Sequence, residues 1–458
     1  MRIGLVGWGV ETKSAYEYFG GSHSYVIGNE EPRSDFPNGE NIEIHYIDQA
    51  RQPGLVGNVS DLSYLDFYDN CDLVIFQGAA RKNLELKFPA DHDFWQKAKT
   101  GLDIFFEKSP TKNIIGITGT KGKGTTTSLT AELLSATGLD VRLGGNIGIP
   151  VLQMLDTLTP DSWVVLELSN FQLYKFNYSP HIAINLMIIP EHIDEWHKTM
   201  KDYVDAKRNL SAHQTSSDIS IFLPSNEYSR ANAESSPGKL IPYTEPPGAF
   251  INNTGFVEID HQQIIHSSKV GLIGKHNLQN ICAALTAAWQ IKNAPEIYQQ
   301  VITNFKGLEH RLQFIREVNG VKYYDDSFGT IPNTAQVALD AFDQPKVVIL
   351  GGHDKGNDWT ELIERLKQED VKHIVLIGSI TFRLLKEMES AGLDMHKVSF
   401  RENGNSWTML SIIDTVNKEA SAGDIVLLST GASSFGLFED YKDRGRQFAQ
   451  VVNSLKPA

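Results

Sequence analysis

The segment Gly116-Ile117-Thr118-Gly119-Thr120-Lys121-Gly122-Lys123-Gly124-Thr125-Thr126 places glycines, a cation and hydroxyls at a spacing suited to wrapping a phosphate. Gly119, Gly122 and Gly124 let the backbone N–H groups around Thr120 and Lys121 turn toward an anion. Lys123 supplies a point charge, and Thr125 or Thr126 can offer a hydroxyl to Mg²⁺. The strict phosphate-loop pattern puts Ser or Thr directly after the lysine, whereas Gly124 intervenes here. The plain alternative is a glycine-rich turn with no ligand. An apolar strand before the loop and a helical run after it favour nucleotide binding. Glu167, at the end of WVVLEL, and His192, after HIAINLMIIP, are candidates to hold a metal. Parallel strands would deliver both to the carboxyl edge of one sheet. A lone histidine after a strand is more often structural than ligating, so the pair is weak evidence by itself.

Those residues need a sheet to carry them, and apolar runs alternate with helical periodicity along nearly the whole chain. That alternation predicts an α/β fold of three domains with largely parallel sheets. Residues 1–107 hold RIGLVGWGV, SYVIGNEEP and DLVIFQG and predict a Rossmann-like domain, with a short glycine turn at Gly7-Trp8-Gly9. Residues 108–307 hold NIIGITG, WVVLEL, HIAINLMII and ISIFLP and predict a central domain like the P-loop ATPases. Short polar stretches between about 213 and 272 predict small antiparallel strands attached to it. Residues 308–458 hold VKYYDDS, KVVILGG, HIVLIGS and DIVLLST and predict a second Rossmann-like domain.

Composition narrows the partners. The 458 residues carry 42 Lys and Arg against 56 Asp and Glu, a net charge of −14. An acidic surface repels nucleic acid, so phosphate must be bound by a local cluster, which points to a small-molecule site. Cys71 and Cys282 are too few for a disulfide framework or a cysteine zinc site, which fits a reducing cytoplasm. No run approaches the roughly 18 apolar residues of a membrane span, and the first residues lack the basic region and cleavage site of a signal peptide. A cytoplasmic protein without a transmembrane segment is expected.

Taken together, GITGTKGKGTT, GGNIG (144–148), LELSNFQL (166–173), PEHIDEWH (190–197), DAKRNL (205–210), GKHNLQN (274–280) and GLEHR (307–311) resemble the Mur ligases of peptidoglycan synthesis in order and spacing. LELSNFQL, LGGHDKGNDW (350–359) and LLSTGASSFGLFEDYKDRG (427–445) resemble the glutamate-adding members in particular. The resemblance implies an ATP-dependent acid–amino-acid ligase of cell-wall biogenesis, with the bearing on cell shape and division that wall synthesis has. Its substrates would be UDP-N-acetylmuramoyl-L-alanine and glutamate, expected to be D-glutamate, and a monomer is expected. It implies that Gly119 to Thr126 bind ATP phosphates and that Asn277 and Asn280 contact the adenine region. Arg311 and Asp326 would reach ATP from the linker and third domain. Thr125, Glu167, His192 and Lys207 would hold two Mg²⁺ ions, with Lys207 carbamylated so that a cation becomes an anionic ligand; without that context Lys207 reads as a solvated surface lysine. Gly7, Gly9, Asn146, Ser169 and Gln172 would contact the nucleotide-sugar substrate. Thr330, Lys355, Ser434 and Tyr441 would hold the amino acid, Lys355 by charge.

Two departures from the pattern bear on substrates. Phe328 stands in DDSFGTIPNT where the glutamate-adding members carry lysine, which removes one cation expected beside a glutamate carboxylate. A ligase adding L-glutamate or another amino acid to a UDP-muramoyl precursor is therefore the alternative reading. In the first domain, Asn29 takes a usually acidic place at the end of the second strand, and Phe76-Gln77-Gly78 replaces an SPG turn. A P-loop kinase or regulatory ATPase would need no amino-acid acceptor, and a scaffold that had lost turnover would not keep Lys123, Glu167, His192 and Lys207.

Overall fold

The computed structural model describes residues 1–47, 61–190, 196–272, 274 and 276–457. Two compact units divide the chain: residues 1–270 with 278–303, and residues 271–277 with 304–458.

The first unit holds two parallel sheets. Strands β1 (Arg2–Val6), β2 (Ser24–Asn29), β3 (Ile42–Tyr46), β4 (Leu73–Phe76) and β5 (Ala98–Lys99) lie in the order β3-β2-β1-β4-β5. Strand order reverses between β1 and β4, which opens a crevice at their carboxyl ends where the Gly7-Trp8-Gly9 turn sits. The second sheet comprises β6 (Ile114–Thr118), β7 (Val141–Gly145), β8 (Trp163–Glu167), β9 (Ile182–Asn185), β10 (Ile219–Phe222) and β11 (Lys239–Pro242), ordered β11-β10-β9-β6-β8-β7. The expected boundary near residue 107 falls between these sheets, inside one unit. Ile3, Leu5 and Ile27 from the first sheet share a core with Phe105, Leu152, Val164 and Leu166. Short strands β12 (Phe250–Ile251), β13 (Phe256–Ile259) and β14 (Gln262–His266) form an antiparallel sheet within the stretch that predicted one.

The second unit is built on β15 (Gln313–Val318), β16 (Val321–Asp325), β17 (Lys346–Gly351), β18 (Val371–Ile377), β19 (Val398–Ser399) and β20 (Ile425–Leu428). Their order is β15-β16-β20-β17-β18-β19, parallel except for the β15–β16 hairpin. The continuous apolar runs follow from burial on both faces. Val348, Leu350 and Leu427 pack into one core, while their neighbours Val347, Ile349 and Leu428 pack into the core on the opposite face. Each such side chain contributes about 1.5–3 kcal/mol by leaving water, which holds the strand ends in register beneath the loops they carry.

Candidate functional site

All five residues of β6 are buried, and the loop that follows turns directly into the Lys123–Ala136 helix. Gly122 caps that helix at φ +87°, a conformation that costs little only without a Cβ, and a Cβ there would collide with Asn280 Oδ1. The helix is rich in threonine, a mediocre helix former, yet two of these hydroxyls bond back to the helix's own carbonyls. Thr127 Oγ1 donates to the Lys123 carbonyl at 2.8 Å, and Thr130 Oγ1 to the Thr126 carbonyl at 2.7 Å. Lys123 Nζ curls back to donate to the carbonyls of Gly119 and Thr120, both at 3.1 Å. Thr120 Oγ1 bonds the Ile189 carbonyl and lies 3.0 Å from the Tyr203 hydroxyl, which anchors the loop to the segment after β9 and to the Met200–Ala212 helix. Gly124, Thr125 and Thr126 occupy the buried first turn, with Lys121 partly exposed before them. The arrangement fits a nucleotide phosphate: a helix N-terminus, a left-handed glycine and an ammonium meet at one strand end.

Glu167 lies beside the loop because β8 pairs with β6, which sets Ile117 opposite Glu167. It is 4% exposed, and among the described residues only Asn146 donates to its carboxylate, Nδ2 to Oε1 at 2.8 Å. Asn146 thereby acts on Glu167 in this structure. A buried carboxylate with its other oxygen uncommitted among described residues fits a hard cation. Lys207, on the Met200–Ala212 helix, is 1% exposed; its Nζ donates to the Gly119 carbonyl at 2.9 Å and stands 4.6 Å from the Tyr203 ring centre. It is therefore buried at the root of the loop, unlike a solvated surface lysine. His192 lies outside the described residues. Among the described residues no cluster of three His, Cys, Asp or Glu side chains could hold a metal, so the expected set depends on Thr125, Glu167 and a modified Lys207 in addition to His192. Asn277 and Asn280 both sit on the His276–Ile291 helix, and Thr126 Oγ1 reaches Asn280 Oδ1 at 3.5 Å.

The residues expected to meet the nucleotide sugar have structural partners here. Ser169 and Gln172 form the capping box of the short Asn170–Leu173 helix. Gln172 Nε2 also donates to Glu11 Oε1 at 2.7 Å, and burial raises the Glu11 carboxyl. A Cβ at Gly7 or Gly9 would lie 2.7 or 2.6 Å from Gln77 Nε2, so the Gln77 side chain covers the glycine turn. Asn29 Oδ1 accepts from the Trp8 N–H at 3.0 Å. Glu11 and Gln77 were missed in sequence, though Gln77 stood in the altered turn.

In the second unit, the carboxyl ends of β16, β17 and β20 carry Asp326, Lys355 and Ser434. Inserting β20 between β16 and β17 is what gathers them. Asp326 accepts from Ser429 Oγ at 2.6 Å and from the Leu312 N–H at 3.2 Å. Burial lifts its carboxyl to about 7, with Ser429, Leu312 and the Arg311 charge opposing and Asp325 reinforcing. Next to it, Asp325 Oδ2 pairs with His310 Nδ1 at 2.7 Å, fixing the residue before Arg311 to the residue before Asp326. Arg444 is fully buried and donates to Ser327 Oγ at 2.8 Å, the Ser327 carbonyl at 2.8 Å and the Ala432 carbonyl at 3.1 Å. Burial pulls its guanidinium down to about 10 against the charges of Asp325 and Asp326. His310 and Arg444 lay within the motifs GLEHR and DYKDRG but were not singled out. Tyr441 begins the Tyr441–Ser454 helix; its carbonyl accepts from Ser327 Oγ at 2.8 Å. Lys355 is exposed, 5.9 Å from the Phe435 ring centre, Ser434 is buried, and Thr330 is partly exposed between β16 and the Pro332–Asp340 helix.

Known proteins match this arrangement along the chain. Residues 117–288 match the Mur ligase middle domain and residues 310–431 the Mur ligase glutamate ligase domain. A UDP-N-acetylmuramoylalanine--D-glutamate ligase of Clostridium kluyveri is 30% identical, covering 99% of this chain and 97% of its own. The ligase of the same name from Clostridioides difficile is 32% identical over 87% of this chain and 89% of its own. A MurF ligase of Thermotoga maritima, solved in complex with ADP, shares the fold at TM-score 0.56 and 17% identity, covering 85% of this chain and 90% of its own. With a 30% identical relative matched nearly end to end, the chain belongs to the Mur ligase family.

Proposed function

We propose that this protein is an ATP-dependent amide ligase that joins D-glutamate to UDP-N-acetylmuramoyl-L-alanine in cytoplasmic peptidoglycan synthesis, acting as a monomer. The observation that carries the reading is the buried Lys207 amine, 2.9 Å from the Gly119 carbonyl at the root of the phosphate loop. It stands in a chain that spans 97% of a ligase named for D-glutamate. No helix among the described residues is long and apolar enough to cross a membrane.

The chemistry runs in two steps. The substrate carboxylate attacks the γ-phosphorus of ATP, forming an acyl phosphate and releasing ADP. The glutamate amine then attacks the acyl carbon and phosphate leaves, forming the amide and giving up a proton. Charge develops on oxygen in both steps, so preorganised cations and N–H donors lower both barriers. Lys123 and the loop N–H groups hold the phosphates. Thr125, Glu167, His192 and a carbamylated Lys207 would hold Mg²⁺, which would supply positive charge to offset that developing on the reacting oxygens. Asn277 and Asn280 take the adenine region, and Arg311 and Asp326 complete the nucleotide contacts. Gly7, Gly9, Asn146, Ser169 and Gln172 face the nucleotide sugar, which requires the Gln77 side chain to swing off the glycine turn. Thr330, Lys355, Ser434 and Tyr441 receive glutamate.

Phe328 in place of a cation favours a second reading, a ligase that takes L-glutamate or another amino acid. Running D- and L-glutamate side by side, with ADP release as the readout, decides between them. Release should require Mg²⁺, UDP-N-acetylmuramoyl-L-alanine and D-glutamate together. Preference for the L isomer selects the second reading, and ATP turnover without an acceptor overturns both.

A further inference from the structure

We infer that Phe328 is a positioning residue whose ring holds the Arg311 guanidinium in place, so that an aromatic face does here the work of orienting the nucleotide arm. The inference rests on the reading that Arg311 contacts ATP. Arg311 Cζ lies 4.3 Å from the Phe328 ring centre, well inside the range in which a cation is attracted to a ring face. The backbone around the arginine is already constrained. His310 and Leu312 both adopt left-handed conformations, at φ +62° and +45°, which non-glycine residues hold only when their surroundings impose it.

The surroundings that impose it are the 325–328 segment. His310 Nδ1 is hydrogen-bonded to Asp325 Oδ2 at 2.7 Å, the Leu312 N–H donates to Asp326 at 3.2 Å, and the Phe328 N–H donates to the His310 carbonyl at 2.9 Å. One four-residue stretch therefore grips the arginine's backbone on both sides, and its last residue supplies the surface for the side chain. Phe328 is 39% exposed, so this aromatic surface is not explained by core packing. Its ring meets Tyr441 edge-on at 5.2 Å, and Tyr441 meets His310 edge-on at 6.2 Å, which closes a ring of contacts around Arg311. Arg311 has a long flexible side chain; a face that pre-orders it reduces the rotamer freedom lost on meeting an anion. A lysine at 328 would instead place a second cation beside the guanidinium.

The test is steady-state kinetics of the full-length enzyme with Phe328→Leu, Phe328→Trp, Phe328→Lys and Arg311→Ala, varying each substrate in turn and recording the melting temperature. Phe328→Leu should raise the KM for ATP about two- to fivefold, the size of one partly exposed cation–π contact, and leave the KM for the nucleotide-sugar substrate unchanged. Phe328→Trp should restore it, and Phe328→Lys should raise the KM for ATP at least as much as Leu. An unchanged ATP KM in Phe328→Leu, alongside a raised one in Arg311→Ala, overturns the positioning role alone. An unchanged ATP KM in Arg311→Ala shows instead that the reading of Arg311 is wrong. Equal impairment of Leu and Trp variants in every parameter, with a lowered melting temperature, assigns Phe328 to structure and also overturns the role.

Discussion

A lysine that is 1% exposed, as Lys207 is, must be bonded or chemically altered, because an ammonium removed from water without partners carries a heavy desolvation cost. In this structure the Gly119 carbonyl and the Tyr203 ring are among its partners. Carbamylation would replace that cation with an anion suited to a metal. Lys207→Ala should then lose activity and regain part of it when short carboxylic acids are added; no recovery at any acid concentration removes the carbamate from the mechanism. Asp326 gives a prediction in pH. Its folded-state carboxyl holds a proton to about 7, whereas an unfolded aspartate releases it near 3.9. The folded state therefore binds the extra proton between those values. This contribution to stability is complete below about pH 4 and is lost as pH rises through 7. Thermal melts of wild type and Asp326→Asn should show the wild type losing ground steadily from about pH 4 to about pH 7 and little further above that, and a pH-independent difference would refute the shift.

At the scale of elements, the candidate phosphate loop depends on how β6 hands over to the Lys123–Ala136 helix. Gly122 is where the handover is tightest, with φ +87° and no room for a Cβ against Asn280. Gly122→Ala should destabilise the protein by about 1–2 kcal/mol from the left-handed conformation alone, read by urea denaturation. It should also weaken ATP binding in calorimetry, since the same residue aims the first N–H donors. Wild-type affinity in that variant would show that the loop does not bind the phosphates through this geometry. The capping box of Ser169 and Gln172 shows the same economy: residues expected at the substrate also start the helix that follows β8.

For the whole molecule, the candidate ATP residues divide between the two units, with Gly119 to Thr126, Glu167 and Lys207 in the first and Arg311 and Asp326 in the second. If one nucleotide meets both sets, a non-hydrolysable ATP analogue should slow amide hydrogen exchange around residues 116–126 and around 310–328 together. Lys123→Ala should abolish both effects by removing the cation that pairs with the phosphates. Protection confined to 116–126 would exclude Arg311 and Asp326 from the nucleotide site.

The strand, glycine loop and helix around Lys123, the α/β class and the separate strands were readable in the chain because each is a local matter: glycine placement, apolar runs and the helical period act within about a dozen residues. The Mur-type motifs were legible for the same reason, as contiguous words. What the sequence left open is which words meet. Glu11 and Gln172 are 161 residues apart, and Arg444 and Ser327 are 117 apart. Asp326 meets Ser429 because β20 inserts beside β16, a strand order that no local pattern encodes. Phe328 read as a missing cation, and only the fold laid it against Arg311. The chemistry of each residue was in the sequence, but its partner depended on tertiary packing, since burial and charge pairing act between strand ends that topology alone brings together.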